Sequence, residues 1–324
     1  MADYIGIKGS NIPAVASDPS NPVLGEVWYN TTGNVLKGYA TSAPAGAWSS
    51  GNNTLQGKSN YGGTGTQQAA LIYLGEGPYA DKNKTEEYNG TSWVETNPCL
   101  VARQACAGGV GTQTAALAIS GTDGTVRAYV EHYDGTSWSE GADIQTLRYS
   151  EAGGGTQTAA IIAGGINPPP ANADCETWDG TSWSETNNIN SARHSARGAG
   201  STTATVIAGG TAPGSGPVAL CEEWNGTSWC EVSNILTART NQGGATAGNS
   251  TDFMIMCGTP GVTSLTEVWN GTAWTEVADT TTARIQAQGA GTTGAALIAC
   301  GNPGYLQDTE EWNAGSAVQT FTAS

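Results

Sequence analysis

The sequence predicts an all-β propeller of four-stranded blades, on the basis of a repeat, a turn dipeptide and the composition. A hexapeptide of aromatic, Asn or Asp, Gly, Thr, Ser or Ala, and Trp occurs five times. Intervals of 45 or 46 residues separate its closing tryptophans: Trp93, Trp138, Trp183, Trp229 and Trp274. One four-stranded blade has about this length. The 46 glycines and the low charged fraction of 12% are typical of small, tightly turned strands rather than of helices.

Each repeat contains four strand-like segments, A to D. Segment A begins at a basic residue and ends in glycines, as between Arg193 and Gly200, and segment B is a short apolar run such as Ala204 to Ala208. Segments C and D flank the Asn-Gly or Asp-Gly dipeptide, which predicts a two-residue type I′ hairpin. Segments A and B occur six times, whereas the last D segment, near Val318 to Phe321, is degenerate.

Two blade numbers agree with these repeats. We expect a six-bladed propeller over residues 58–324, with a strand from residues 1–57 closing the ring against the degenerate last blade, because Trp48 stands 45 residues before Trp93. The alternative is seven blades, of which one is incomplete. Residues 1–57 contain a predicted hairpin, from Leu24 to Tyr39, and form the predicted attachment segment.

Two fixed positions of the repeat carry opposite charges. A basic residue opens segment A in every copy: Lys58, Arg103, Arg148, Arg193, Arg239 and Arg284. A glutamate stands two residues before the aromatic residue of segment C: Glu86, Glu131, Glu176, Glu222, Glu267 and Glu310. Equal numbers at fixed offsets predict structural ion pairs. The alternative is a ring of arginines at the channel mouth that binds an anionic ligand.

The aromatic residues of the hairpin recur in every copy. A two-residue turn at Asn225-Gly226 would place Trp224, Glu222 and Trp229 on one face of the sheet. A single aromatic pair would suggest a carbohydrate platform, but recurrence favours packing between adjacent blades. We therefore expect a structural role for Trp93, Trp138, Trp183, Trp229 and Trp274.

The same turn would bring Cys221 opposite Cys230, where a disulfide is geometrically plausible. The chain has seven cysteines, an odd number, and the other repeats place no cysteine pair there. Reduced thiols are the favoured interpretation.

Composition and motifs exclude several functions. A net charge of −16 and a pI near 4.3 disfavour nucleic acid as a partner. No apolar run reaches the length of a membrane span, and no secretory signal is visible, so we expect synthesis in a cytoplasm without membrane insertion. Sequons such as Asn225-Gly226-Thr227 are then interpreted as turn chemistry.

Residues suited to catalysis or metal binding are sparse. His132 and His194 are the only histidines, they occupy unrelated positions of the repeat, and no Cys-x-x-Cys pair is present. No nucleophile–base arrangement, phosphate-binding loop or pair of catalytic carboxylates can be recognised apart from the repeated residues. We expect no catalytic residues, no metal and no cofactor.

The repeat resembles the kelch motif and its relatives in the central domain of galactose oxidase. The resemblance covers residues 58–324 and is carried by Arg193, by Ile207-Ala208-Gly209-Gly210, by Glu222-Glu223-Trp224 and by Trp229. It implies a propeller fold. The copper chemistry of galactose oxidase is not carried over, because the two histidines are unmatched. The Asp-box of sialidases differs from Asp134-Gly135-Thr136-Ser137-Trp138 by one residue between Asp and Gly.

A second resemblance is to virion proteins of tailed phages. It is carried by the near-identity of the blades, by Asp18-Pro19-Ser20-Asn21-Pro22 and by Gly25-Glu26-Val27-Trp28-Tyr29-Asn30. It implies a structural protein of a tail, fibre or capsid, with other virion proteins and a host-surface glycan as partners. The oligomeric state is left open.

The segments between B and C are the variable part of each repeat, and variable loops on a rigid scaffold are where recognition usually resides. We expect a non-enzymatic attachment or recognition protein that binds through these loops. Candidate positions, one in each loop, are Tyr79, Arg127, Pro169, Pro213, Pro260 and Tyr305. The alternatives are a cytoplasmic kelch-like scaffold that binds an acidic ligand at the arginine ring and, third, a glycan-processing enzyme.

Overall fold

The chain begins with strands that later pair with its other end. The computed structural model describes residues 12–78, 82–167 and 170–321. Its first strands are β1 (Ala14–Val15), β2 (Val27–Asn30) and β3 (Val35–Ser50). Strand β1 pairs with β2 in parallel, and β2 pairs with β3 as an antiparallel hairpin.

Five four-stranded antiparallel sheets follow, and we call them blades 1 to 5. Their strands, from the innermost outward, have the following bounds. Blade 1 contains β4 (Gly62–Thr66), β5 (Ala69–Tyr73), β6 (Thr85–Tyr88) and β7 (Trp93–Thr96). Blade 2 contains β8 (Gly111–Thr112), β9 (Ala115–Ile119), β10 (Val130–Tyr133) and β11 (Trp138–Glu140). Blade 3 contains β12 (Ala152–Thr156), β13 (Ala159–Ala163), β14 (Cys175–Trp178) and β15 (Trp183–Thr186).

Blade 4 differs from the others by a small two-stranded sheet inserted between its second and third strands. Its order is β16 (Arg197–Ser201), β17 (Ala204–Ala208), β20 (Cys221–Trp224) and β21 (Trp229–Glu231), and the insertion consists of β18 (Thr211–Ala212) and β19 (Gly216–Pro217). Blade 5 contains β22 (Gly243–Gly244), β23 (Phe253–Gly258), β24 (Thr263–Trp269) and β25 (Trp274–Val277).

The last strands join the first ones in a six-stranded sheet, which we call the closing sheet. Strands β26 (Gln288–Gly291), β27 (Ala295–Ala299) and β28 (Thr309–Phe321) are followed outward by β3, β2 and β1. Trp48 of β3 lies directly opposite Trp312 of β28, in the place that the hairpin tryptophan occupies in the blades. Both ends of the chain therefore contribute to one sheet.

The innermost strands contact one another in a ring, in the order β4, β8, β12, β16, β22, β26 and back to β4. Their close approach explains the glycine content. A Cβ on Gly198 would lie 3.1 Å from the carbonyl oxygen of Gly153, and one on Gly289 would lie 2.7 Å from that of Gly244. At these two positions a side chain has no room. The closed ring of innermost strands makes the molecule an all-β propeller of four-stranded blades.

The core consists of six apolar clusters, and each lies between two neighbouring sheets. The paired aromatic residues of the hairpins contribute to these clusters. The rings of Trp224 and Trp229, for example, lie 5.5 Å apart between centroids and are both buried. The five hairpin tryptophans, Trp93, Trp138, Trp183, Trp229 and Trp274, are all buried in this way. The large rings fill the space that widens between blades with distance from the axis.

The centre of the hairpin turn lies one residue further along the chain than expected, so the pairing between the two strands is shifted. Trp224 pairs with Trp229, so the turn is centred on Gly226-Thr227, and of the turn residues only Gly226 has a positive φ, of 90°. The predicted type I′ turn at Asn225-Gly226 is therefore wrong. The side-chain oxygen of Asn225 instead accepts the N–H groups of Thr227 and Ser228, at 3.0 and 2.9 Å.

This register also separates the two cysteines that were expected to face each other. Cys230 lies opposite Glu223 and is exposed, whereas Cys221 is buried. All seven cysteines are free thiols.

Candidate functional site on the loop face

Antiparallel strands give the propeller two faces. The turn face carries the C–D turns at residues 89–92, 134–137, 179–182, 225–228 and 270–273. The loop face carries the connections between successive sheets and the described parts of the B–C loops, at residues 76–78, 82–84, 122–129, 166–167, 170–174, 211–219, 259–265 and 302–308. The residues of the candidate site lie on the loop face or just beneath it.

A buried ion pair stands beneath the loop face in every sheet. In blade 3, Nη2 of Arg148 lies 2.7 Å from Oε1 of Glu176, and neither side chain is exposed. The equivalent partners are Lys58 with Glu86, Arg103 with Glu131, Arg193 with Glu222, Arg239 with Glu267 and Arg284 with Glu310. The structure therefore brings together the two repeated charges. The alternative of an arginine ring that binds a ligand is not supported, because these side chains lie inside the sheets.

The carboxylate of each pair also holds the connection that enters its sheet. Glu131 accepts the N–H groups of Leu100 and Val101, at 2.6 and 3.3 Å. Four other glutamates, Glu176, Glu222, Glu267 and Glu310, accept two N–H groups in the same way, whereas among the described residues Glu86 accepts only that of Leu55. A carboxylate with several donors is satisfied although it is buried.

Two of the guanidinium groups, those of Arg239 and Arg284, fasten both ends of a B–C loop. Nη1 of Arg284 donates to the carbonyl oxygens of Cys300 and Asp308, at 3.1 and 2.9 Å. Arg239 donates in the same way to Cys257 and Leu265. Each of these two arginines therefore joins both ends of one variable loop to a buried glutamate. These bonds are made to main-chain oxygens, so they do not restrict the side chains of the two loops.

A cavity of about 430 Å³ opens between the B–C loops of blades 3 and 4. Its walls are formed by Ile166, Pro170 and Ala171 on one side and by the β18–β19 insertion, including Pro213, on the other. His194 lies between the two loops and exchanges backbone hydrogen bonds with Thr211, at 3.1 and 2.8 Å.

The polar group of this cavity is uncharged near neutral pH. His194 is half-buried, and burial lowers the pKa of its imidazole, which favours the neutral ring. Its Nδ1 lies 3.0 Å from the hydroxyl oxygen of Ser195. A neutral imidazole between apolar walls can exchange hydrogen bonds with hydroxyl or amide groups of a ligand.

The six candidate loop positions have different surroundings. Tyr79 and Pro169 lie outside the described residues. Arg127 is partly exposed, pairs with Asp123 at 2.8 Å and stacks over Tyr129. Pro260 is exposed and Tyr305 is half-buried. Of the four described positions, only Pro213 lines the 430 Å³ cavity.

His194 is not among the residues that the sequence predicts to bind a ligand. The positions equivalent to His194 are Ser59, Gln104, Tyr149, Thr240 and Ile285, and all six differ. Each of these residues forms a bridge to the start of a B–C loop. Variability at one position inside a conserved repeat was the signal that could have identified it.

Outside the loop face, a second cavity of about 240 Å³ lies on the turn face beside Trp269 and Thr275. His132 is far from His194 in the repeat and packs edge-on against Trp178. In the described parts of the chain, no group of three or more His, Cys, Asp or Glu side chains could hold a metal ion. Within the same ranges, no helix has the length and apolar character needed to cross a bilayer.

Comparison with known proteins bears on the fold. No family model matches the chain, and no curated protein matches it in sequence. Among solved structures it is similar to YjhT, a kelch-like β-propeller, with a TM-score of 0.65 and 11% sequence identity, over 84% of this chain and 99% of YjhT. At this identity the likeness concerns the fold alone. The chain is a β-propeller of four-stranded blades, similar in fold to a kelch-like propeller.

Proposed function

We propose that this protein is a non-enzymatic recognition module that binds a host-surface glycan or a partner protein through its loop face. The observation that carries the proposal is the 430 Å³ cavity between the B–C loops of blades 3 and 4. Its apolar walls and neutral imidazole suit an uncharged ligand with hydroxyl or amide groups. The net charge of −16 disfavours acidic ligands at an exposed site.

The closing sheet supports a second part of the proposal, which is attachment through the N-terminal segment. We infer that β26, β27, β28 and β3 form a sixth blade, because β26 completes the ring of innermost strands. Strand β28 continues for eight residues beyond Asn313, paired with β3. At about 3.3 Å per residue this ribbon reaches roughly 25 Å past the blade. An extended ribbon from one edge can join another protein without covering the loop face.

The particle to which the ribbon attaches is proposed to be a tailed-phage virion, as the second resemblance implies. Mass spectrometry of purified particles provides the test. A fixed number of copies per particle, with other virion proteins co-purifying, is expected. Complete absence from particles would contradict the virion assignment and leave the recognition proposal to its own test.

The recognition proposal is tested by blocking the cavity. Ala212→Trp introduces an indole at the wall of the 430 Å³ cavity, and Thr275→Trp introduces the same side chain beside the cavity on the turn face. Binding would be measured on a glycan array and with host-surface extracts. We expect the first variant to lose binding at least tenfold and the second to retain it. The reverse result would assign recognition to the turn face, and no glycan binding by the unmodified protein would remove the glycan as ligand.

A further inference from the structure

The axis of the propeller carries a continuous ring of main-chain hydrogen bonds at its loop-face end. Six residues, one from each sheet, donate their N–H to the carbonyl oxygen of the preceding member at 2.7–3.3 Å: Asn60, Ala105, Ser150, Ser195, Asn241 and Gln286. All six have φ between 50° and 59°. This left-handed conformation is uncommon outside glycine. The ring requires it, because only then does each strand turn its N–H toward its neighbour.

Directly below this ring lies a small axial cavity. Its volume is about 10 Å³, and every sheet contributes to its lining. The lining includes five members of the ring together with Tyr61, Cys106, Arg197 and Gln288. A polar space of this size accommodates one particle of about the size of a water molecule.

Arg197 distinguishes blade 4 from the other sheets at this position of the repeat. The equivalent positions carry Gly62, Ala107, Ala152, Gly243 and Gln288, and none of these is charged. Nothing in the repeat requires an arginine there. Arg197 does not belong to the conserved ion pairs, because Arg193 holds that position in the same blade.

The charge of Arg197 has no partner among the described residues. The other six arginines each have a carboxylate within 4 Å. Arg197 donates one hydrogen bond, from Nη1 to the carbonyl oxygen of Ala196 at 3.1 Å, and its Nε is buried without an acceptor. Beside it, Oε1 of Gln288 is also buried without a donor. Arg197 as a whole is half-buried, and a charge that is largely removed from water is costly unless it is paired.

Neither ionisable neighbour can neutralise this charge. Tyr61 and Cys106, on the far side of the axis, are the titratable groups close enough to influence Arg197. Burial raises the pKa of the Tyr61 hydroxyl well above its usual value and that of the Cys106 thiol to about 12. Both are therefore neutral at neutral pH. Burial also lowers the pKa of Arg197, but only to about 10, so the guanidinium stays charged.

We propose that the axial cavity binds a single small monovalent anion, such as chloride, against the guanidinium of Arg197. The members of the ring above it are mostly half-buried, so the loop face gives access to the cavity. The anion would supply the missing counter-charge and accept from the Nε–H of Arg197. Polyatomic anions such as sulfate or gluconate are too large for the space, whereas a single halide ion, chloride or bromide, is expected to enter it.

Two experiments test the site. Crystals grown in sodium bromide should show an anomalous scattering peak beside Arg197 on the propeller axis, and absence of that peak would overturn the proposal. This measurement needs no variant. In solution, thermal unfolding would be compared in chloride and in gluconate, at equal sodium concentration. A rise in Tm of about 2–4 °C is expected at ten times the dissociation constant of chloride.

The variant Arg197→Gln tests whether the effect of chloride on Tm arises at this site. Glutamine is a suitable replacement because it stands at the equivalent position, 288, of the closing sheet. Its Tm should not respond to the exchange of gluconate for chloride. Arg127→Gln removes an arginine on the surface and should respond as the unmodified protein does. An undiminished chloride response in Arg197→Gln would contradict the proposed site.

Discussion

The two faces of the propeller hold the connections between their strands in different ways. On the turn face, each C–D turn is held locally, since Asn225 or its equivalent Asn or Asp accepts N–H groups two and three residues later. On the loop face, the connections are held from below by buried ion pairs. The turns depend on their own Asn or Asp side chain, whereas the buried pairs hold the loop-face connections through main-chain groups and so place fewer demands on the side chains there. This difference is the physical reason to look for recognition on the loop face.

The largest expected effect comes from removing one buried anchor. Arg239→Ala leaves Glu267 without its counter-charge and deprives the carbonyl oxygens of Cys257 and Leu265 of a donor. Because the remaining charge is desolvated, the free energy of unfolding should fall by about 3–5 kcal/mol. Denaturant titration would measure it.

Arg127→Ala is the matched control, since Arg127 forms an ion pair at the surface of the same face. It should leave the midpoint of unfolding nearly unchanged. Equal losses in the two variants would mean that the buried pairs are not what holds the loop face.

A smaller, pH-dependent effect is expected from Glu151, at the boundary of blades 2 and 3. Its carboxyl is 1% exposed, accepts a hydrogen bond from the hydroxyl of Ser120 and has no arginine partner. Burial raises its pKa from 4.5 to about 7. Folding therefore favours the protonated acid, and this contribution is complete below pH 4.5 and is lost as the pH rises through 7. The loss should amount to about 2–4 kcal/mol.

Glu151→Gln keeps a neutral side chain at every pH and provides the test. Relative to this variant, the unmodified protein should lose free energy of unfolding between pH 5 and pH 8.5, as measured by denaturant titration at each pH. Parallel pH profiles for the two proteins would contradict the assignment. A buried acid without a partner thus differs from the six buried glutamates that have one.

The smallest effect is expected on the turn face. Asn225→Ala removes the acceptor of two turn N–H groups that remain accessible to water, so the cost should be about 1 kcal/mol. Asn225→Asp retains the acceptor, as Asp134 and Asp179 do in other repeats, and should unfold at nearly the same temperature. Differential scanning calorimetry would resolve the two. A cost as large as that of Arg239→Ala would remove the contrast between the faces.

Much of the fold could be predicted because it depends on repetition. The spacing of the tryptophans predicted four-stranded blades, and the repeated Arg and Glu positions predicted which charges would meet. The turn type was not predictable in the same way. Asn-Gly is compatible with more than one register, and the observed one is chosen by the Asn225 side chain, which accepts the N–H groups of residues 227 and 228. The one-residue difference moved Cys230 away from Cys221.

The sequence predicted which face of the propeller carries the candidate site, but not which residues line a cavity together. His194 and Arg197 differ from the residues at the equivalent positions of the other repeats, and no local pattern connects them with Pro213 or with Gln288. They come together because residues at one depth in different blades meet at the axis or between loops. These contacts form only when the whole ring of sheets closes.

The sequence by itself determined the blade, because a strand-length repeat with glycines at one end can bury its apolar residues only against copies of itself. It also determined which face varies. The tertiary structure alone decided how the ends of the chain share one sheet, which cavity the variable loops enclose, and that one unpaired arginine lies on the axis. These depend on contacts between residues far apart in the chain, whose distances follow from ring closure and not from any local preference.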